Sequence, residues 1–160
     1  MELLTEFVPF SINKKALLGR AAAVLEQNVL KGELYGEAME LMQQVEAFLL
    51  KASFSLNGDI GFSKIGFSAL LRSSGLEFRE EYDSLAEKLV DYMELLTEYE
   101  RKKLFIFYNL RSLISDRETA LFLDTVLRHE YHVLMVESGE HTRLPNEERY
   151  IVDESLCEIC

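Results

Sequence analysis

The sequence lacks the features that mark membrane and secreted proteins. Of its 160 residues 48% are hydrophobic, enough for a proper core. No apolar run, however, approaches the roughly 20 residues that a membrane-spanning helix needs. The first residues, Met1 to Glu6, are acidic and lack the basic region of a secretory signal. These absences predict a cytoplasmic protein without membrane contact.

The chain also lacks an overall positive charge, since its formal net charge is −11. Such a charge argues against a wholly basic surface that coats nucleic acid. A local basic patch can still contact phosphates, so nucleic acid stays among the candidate partners.

The sequence motifs of common catalytic and nucleotide sites are missing. There is no Walker A loop, no G-x-G-x-x-G dinucleotide fingerprint, no G-x-S-x-G elbow and no HExxH pair. The segment 109–115, which follows a predicted strand, contains no glycine to wrap a phosphate. We therefore predict a protein that is not an enzyme. A degenerate nucleotide-binding domain that still hydrolyses NTP is a weaker alternative.

The only cysteines are Cys157 and Cys160. This C-x-x-C pair could be half of a zinc site, completed by His129, His132 or His141, or a redox pair. A redox pair usually opens a helix, and no helix is predicted after it. Two reduced thiols near the end of the chain are the favoured interpretation.

The second half of the sequence contains a strand–helix–strand pattern. The apolar run 104–108 predicts a strand buried on both faces. Ser115 and Glu118 form an S-x-x-E capping box that begins a helix at about 116–129, and 131–137 is the next strand. Such a unit predicts two parallel strands. Further short strands are predicted at 2–8 and 149–152.

Most of the first half is predicted to be helical, with helices at about 14–30, 33–52, 64–73 and 80–101. In the second of these, apolar residues at spacings of four and three form a coiled-coil-like seam, consisting of Leu34, Ala38, Leu41, Val45 and Phe48. Asn57-Gly58 predicts a tight turn, in the form of a small hairpin. Ser63 is the expected N-cap of the third helix, and Gly75 follows its end.

Basic residues concentrate in two places. Lys14, Lys15 and Arg20 lie at the start of the first helix, where positive charge opposes the helix dipole. The run from Arg101 to Arg111 contains four cations and no acid. Contact with a polyanion would explain both groups. Simple solvation of a helix end, and lysines that protect a strand from aggregation, are the alternatives.

These elements resemble the ring-forming adaptation protein of type II-A CRISPR systems. The resemblance depends on Lys102–Asn109 (KKLFIFYN), the helix capped by Ser115, Val133–Glu137 (VLMVE) and Arg149–Val152 (RYIV). Upstream, Leu3–Glu6, Ser11–Asn13 and Ile65–Gly75 are similar to the family's first strand, turn and short middle helix. The similarity spans nearly the whole chain, and its motifs are structural and apolar.

The resemblance implies a fold and a function. The fold is α/β plus α-helical, with a small P-loop-like α/β head without a Walker A loop (residues 1–12 and 103–160) and an elongated helical leg (residues 13–102). The function is sequence-neutral binding of double-stranded DNA ends by a homotetrameric ring in spacer acquisition, an antiviral defence, together with the CRISPR integrase and effector nuclease. The competing hypothesis is a helical protein-interaction module without DNA binding.

The sequence departs from the family pattern in two places. Members usually have further strands before the position of Met1, so the chain is expected to be a fragment, with an incomplete head, or a compact relative. Calcium typically supports the ring, and the family's calcium segment matches 59–64. Asp59 remains as a metal ligand, but Gly61, Ser63 and Lys64 stand where acids are expected. One carboxylate cannot supply six to eight oxygens, and Lys64 is hypothesised to replace the charge of the cation.

The same resemblance, combined with the charge pattern, gives the expected DNA contacts. They would be directed at phosphates, sensitive to salt and independent of base sequence. The predicted residues are Lys14, Lys15, Arg20, Lys64, Arg72, Arg101, Lys102 and Lys103.

Overall fold

The computed structural model of the chain describes residues 1–7, 9–152 and 158–159. Cys157 and Cys160, and with them the C-x-x-C pair considered for zinc or redox chemistry, lie outside the described residues. The helices and strands are β1 (Glu2–Leu4), α1 (Lys15–Lys31), α2 (Tyr35–Ser53), α3 (Phe67–Ser73), α4 (Leu85–Glu100), β2 (Leu104–Tyr108), a 3-10 turn (Leu110–Ser112), α5 (Asp116–Arg128), β3 (His132–Val136), β4 (Ile151–Val152) and β5 (Glu158–Ile159).

The chain divides into two compact units. The first unit comprises Met1–Ile12 and Glu80–Cys160, and the second comprises Asn13–Arg79. The structure is thus an α/β unit and a helical unit, in agreement with the coarse fold prediction. In the described part of the chain, no helix has both the length and the apolar character that crossing a membrane requires.

A three-stranded parallel sheet organises the first unit. Its strand order is β1-β2-β3, and β2 pairs with β3 in parallel, with Phe105 opposite Val133 and Phe107 opposite Met135. The predicted strand–helix–strand unit with parallel strands is therefore confirmed. Phe105 and Phe107 are fully buried on one face of the sheet. The ring of Phe122 in α5 contacts Phe107 edge to face, with centroids 5.7 Å apart.

The capping box predicted for α5 is present. The Ser115 hydroxyl accepts the Glu118 backbone N–H at 3.2 Å, and the Glu118 carboxylate accepts the Ser115 backbone N–H at 2.8 Å. These bonds satisfy two groups that a helix end leaves unpaired, so the helix begins at the next residue, Asp116.

Helix α4 packs within the first unit. Its buried face includes Leu89, Met93 and Tyr92, and the Tyr92 ring contacts Phe10 edge to face at 5.1 Å. The Tyr92 hydroxyl donates to Glu2 in β1 at 3.0 Å. Burial and the nearby Glu2 carboxylate raise the pKa of Tyr92 well above its usual value. Residues 80–102, which were predicted to belong to the leg, fall in the first unit, where Tyr92 and Lys102 both bond to Glu2 of β1.

In the second unit, α1 packs against both α2 and α3. Leu17, Ala21 and Val29 of α1 and Ala38 and Met42 of α2 are buried. The Asn13 side chain fixes the two ends of this unit to each other. Its amide donates to the Phe78 carbonyl at 2.9 Å, and its oxygen accepts the Phe78 N–H at 2.7 Å.

Two local predictions for the second unit are wrong. Asn57-Gly58 forms no hairpin, because a type I′ turn needs positive φ at both residues and only Gly58 has it, at 129°. Gly66, not Ser63, precedes α3. The Glu46 carboxylate accepts the Ile65 N–H at 3.0 Å, which holds this segment extended and delays the start of the helix. Gly75 follows α3 with a φ of 69°, as its position predicts.

Two strand predictions need correction in the first unit. β1 ends at Leu4, since the chain then turns. The ring of Phe7 packs near the ring of Phe107, with centroids 6.3 Å apart. The strand predicted at 149–152 is shorter, and it pairs antiparallel with β5 in a separate two-stranded sheet.

Candidate nucleic-acid interface

The three consecutive cations 101–103 lie at the junction between α4 and β2. Arg101 ends α4 in the left-handed region, with φ 56°, and its N–H bonds to the carbonyls of Leu96 and Thr97. The Thr97 hydroxyl also donates to the Lys102 carbonyl at 2.8 Å. These bonds fix the backbone of the turn, so the positions of the basic residues depend on how α4 terminates.

Lys102 is committed to internal ion pairs. Its ammonium lies 2.6 Å from Glu2 in β1 and 2.8 Å from Glu100 in α4. Partial burial opposes the charge, but the hydrogen bonds to Glu100 and Glu2 outweigh it and raise the pKa of Lys102. Lys102 therefore ties the first strand to α4 and offers little uncompensated charge to a phosphate.

Arg101 and Lys103 are different, because both side chains are exposed. Within the described part of the chain, neither forms an ion pair or a side-chain hydrogen bond. The Lys103 carbonyl accepts the His132 N–H at 2.9 Å, which fixes its backbone next to β3. Two solvated cations thus flank the neutralised Lys102.

The second group of predicted contacts lies on α1, in the second unit. Lys14 is the N-cap residue, Lys15 begins the helix, and both are exposed, as is Arg20. The first turn of α1 contains no acidic residue, and its N-cap makes no side-chain hydrogen bond to the helix. The first turn of α1 therefore contributes no acidic side chain next to Lys15.

The remaining predicted residues lie near α3. Arg72 is exposed in the last turn of α3, with a long hydrogen bond of 3.5 Å to Ser68. Lys64 and Asp59 are exposed on the segment between α2 and α3. Among the described residues, no three His, Cys, Asp or Glu side chains lie close enough to hold a metal ion. The carboxylate of Asp59 alone does not fit the oxygen shell that calcium requires.

Arg111 shows where the sequence pattern misleads. It is the last cation of the basic run, yet its side chain is only 4% exposed. The guanidinium bonds to Asp116 at 3.0 Å, to Glu147 at 3.2 Å and to the Thr142 carbonyl at 2.6 Å. These partners are up to 36 residues away in sequence, so spacing gave no signal of the cluster. Hydrogen bonding to Arg111 lowers the pKa of Asp116 below its usual range.

The carboxyl end of the parallel sheet is where α/β proteins commonly bind nucleotides. Here Asn109 directly follows β2 with a φ of 55°, and a 3-10 turn comes next in place of a phosphate loop. The Asn109 side chain accepts the Ser138 N–H at 2.7 Å, and the Arg111 N–H donates to Glu137 at 3.1 Å. A cleft of about 470 Å³ beside β3 is lined by Arg111, Glu137 and the segments 138–141 and 146–152. The polar groups at this edge mostly bond to one another.

The fold and this edge define a class: an α/β protein with a parallel βαβ unit and no phosphate loop in its sequence. Residues 1–156 match the family described as CRISPR-associated protein (Cas_Csn2). The chain belongs to this family, which confirms the resemblance to the adaptation protein of type II-A CRISPR systems. No curated protein matches the chain with significant similarity.

Proposed function

We propose that this CRISPR-associated protein binds the ends of double-stranded DNA without sequence preference and without catalysis, as a homotetrameric ring in spacer acquisition. The observation that carries the proposal is the pair Arg101 and Lys103, which are exposed and unpaired within the described residues. Family membership supplies the CRISPR setting. The integrase and effector nuclease are the proposed partners within that setting, and the cytoplasm is the proposed compartment.

The chemistry of this pair suits a phosphate backbone. Exposed arginine and lysine side chains contact phosphate oxygens through charge, and they carry no base information. The backbone of both residues is fixed by hydrogen bonds, so their side chains extend from a defined turn. Lys14, Lys15, Arg20, Lys64 and Arg72 are the proposed contacts of the second unit. Lys102 is proposed mainly to hold the turn.

The proposal is tested by fluorescence polarisation with linear duplex DNA in a salt series. Binding should be strong near 50 mM salt and should fall steeply as salt rises, because each phosphate contact releases counterions. Arg101→Ala with Lys103→Ala should reduce the slope of log K against log salt by about 1.8 for each copy that contacts the duplex, at about 0.9 per contact. Arg117→Ala, an exposed cation of α5, is the matched control and should leave the slope unchanged.

Two further measurements bear on the mechanism. A duplex closed by hairpins at both ends should compete poorly with an open duplex of equal length if the ends are recognised. An NTPase assay should give no turnover above background. Equal binding of closed and open duplexes would refute end recognition, and protein-dependent hydrolysis that co-purifies with the chain would refute a non-catalytic role.

A protein-interaction module without DNA binding is the second candidate. The observation that favours it is an exposed apolar row, formed by Leu34 at the N-cap of α2 and by Leu41 and Phe48 on the helix. Exposed apolar rows on helices commonly mark protein contacts. An absence of duplex binding near 50 mM salt, where phosphate contacts should be strong, would favour this candidate.

A further inference from the structure

Strand β3 forms one edge of the parallel sheet. It pairs with β2 on one side, and on its other side it pairs with no strand of the described part of the chain. Successive residues of a strand direct their backbone groups to alternate sides. His132 and Val136 bond to the backbone on the β2 side, so the N–H and C=O groups of Val133 and Met135 point away from the sheet. An edge of this kind offers unpaired backbone groups to another strand.

The edge of β3 lacks the features that usually protect a strand from pairing. Proteins commonly place lysine, proline or a bulge at an exposed edge. The sequence of β3, HVLMV, contains no lysine, no proline and no acidic residue. Its register with β2 is continuous over all five residues, so the strand has no bulge. The edge is therefore suited to accept a further strand.

The cleft beside β3 leaves room for a ligand next to this strand. Its volume of about 470 Å³ is lined by residues of β3 and by the segments 138–141 and 146–152. Clefts of this size are typical of binding sites. Three lining side chains are apolar and exposed, since Leu134 is 52% exposed, Tyr150 71% and Val152 63%. They provide apolar contacts for the side chains of a bound segment.

Two buried polar atoms of the cleft lack a hydrogen-bond partner within the described residues. They are Nε of Arg111, whose side chain is only 4% exposed, and Oε2 of Glu137. The other carboxylate oxygen of Glu137 accepts the Arg111 backbone N–H at 3.1 Å. His141 Nε2 lies 3.4 Å from Oε2 but without hydrogen-bond geometry. Buried polar groups are normally paired, so these atoms indicate a ligand that offers both an acceptor and a donor.

The charge of the cleft indicates the charge of its ligand. Four glutamates and two arginines line it, and the exposed Glu148 forms no ion pair within the described residues. An excess of carboxylates repels an anion such as a nucleotide phosphate, and it also repels the same acidic cleft of a second copy. It attracts lysine and arginine side chains. The charged lining residues are Arg111, Glu137, Glu140, Glu147, Glu148 and Arg149.

We infer that the cleft beside β3 binds an extended, basic peptide segment of a partner protein, which adds to the sheet as a strand next to β3. The peptide backbone supplies the N–H and C=O groups that the outer edge of β3 lacks, and its amides can also pair with Arg111 and Glu137. Strand addition takes its affinity from backbone hydrogen bonds and its specificity from alternate side chains. The inference goes beyond the proposed function and does not depend on duplex binding.

Fluorescence polarisation of the full chain with a labelled peptide of alternating lysine and valine tests the inference at low salt. The lysine peptide should bind, and a counterpart with glutamate in place of lysine should not. N-methylation of every second amide distinguishes the two edges of the peptide. Methyl groups on one set of amides should abolish binding and methyl groups on the other set should leave it, because only one edge faces β3. No binding of the lysine peptide, or equal effects of the two sets, would overturn the inference.

Variants of the cleft test its charge and its buried acceptor. Glu148→Lys should weaken peptide binding about fivefold, because repulsion replaces attraction at an exposed position. Glu33→Lys, an exposed acid before α2, is the matched control and should have no effect. Glu137→Gln keeps an acceptor for the Arg111 N–H but replaces the second oxygen with a donor, so binding should weaken about tenfold. Circular dichroism checks that this variant is folded. Equal effects of Glu148→Lys and Glu33→Lys would reduce the binding to general charge attraction and overturn the inference.

Amide hydrogen exchange locates the bound strand. The N–H groups of Val133 and Met135 should exchange rapidly in the free chain and about tenfold or more slowly with saturating lysine peptide. The N–H of Leu134 faces β2, so its exchange should change little. Binding without slower exchange at Val133 and Met135 would place the peptide elsewhere and overturn the inference. Protection of these two amides that rises with protein concentration in the absence of peptide would identify a second copy as the occupant and would also overturn it.

Discussion

Replacing Arg111 with methionine is expected to destabilise the first unit strongly. The guanidinium is almost fully buried and holds Asp116, Glu147 and the Thr142 carbonyl. Removing one partner of a buried ion pair typically costs 3–5 kcal/mol, because the other charge is left uncompensated. Here Arg149 still contacts Glu147 at 3.3 Å, so the lower end applies, about 3 kcal/mol.

Urea unfolding followed by circular dichroism measures this change. With a typical slope of about 1–3 kcal/mol per molar urea, the midpoint should fall by roughly 1–3 M. Arg117→Met is the control, since this exposed neighbour on α5 should change stability by less than about 0.5 kcal/mol. Amide hydrogen exchange in the segment 138–149 should accelerate in the Arg111 variant, because the guanidinium holds that segment at Thr142 and Glu147.

A double-mutant cycle identifies the source of the loss. Arg111→Met combined with Glu147→Gln should be less destabilised than the sum of the two single variants, because the buried carboxylate that has lost its Arg111 partner is neutralised as well. A loss of less than 1 kcal/mol for Arg111→Met, or strict additivity of the pair, would refute the buried cluster as a stabilising unit.

Two further outcomes are expected. Calcium should leave the assembly state unchanged, because one carboxylate cannot complete the oxygen shell of the ion. Asp59→Asn should therefore behave like wild type in the same calcium titration. A strong calcium requirement for assembly would contradict this. Stability should also fall in acid. Arg111 lowers the pKa of Asp116 below the value of 3.8 that holds in the unfolded chain. The stabilisation that the Asp116 carboxylate gives is therefore fully present above pH 3.8 and is lost as the pH falls through the folded pKa. Asp116→Asn should flatten this part of a stability profile measured by urea unfolding; an unchanged profile would exclude the carboxylate as its source.

Local chemistry made much of the first unit predictable from the sequence. The capping box at Ser115 and the apolar run at 104–108 each contain their own signal, and both the helix start and the strand are confirmed. The prediction that this strand is buried on both faces is wrong, because Leu104 and Tyr108 on its second face are exposed. The fate of the cations was not predictable in the same way. Lys102 pairs with Glu2, 100 residues away, and Arg111 with Glu147. Which partners these cations find depends on which strands pair and on where the loops return. No periodicity in the sequence indicates either of these. The start of α3 also depends on a remote carboxylate, that of Glu46.

Net charge is therefore a poor guide to whether this chain binds a polyanion. The relevant quantity is the number of cations without an acid partner. In the run 101–111 the sequence offers four, but Lys102 and Arg111 are used inside the first unit, and Arg101 and Lys103 remain. At about 0.9 per phosphate contact, this run should contribute about 1.8 per copy to the salt slope of duplex binding, where the sequence alone suggests about 3.6. A measured contribution near the larger value would mean that DNA displaces Glu2, Glu100 or Glu147 from these pairs, and Lys102→Met or Arg111→Met would then lower the slope as well as the stability.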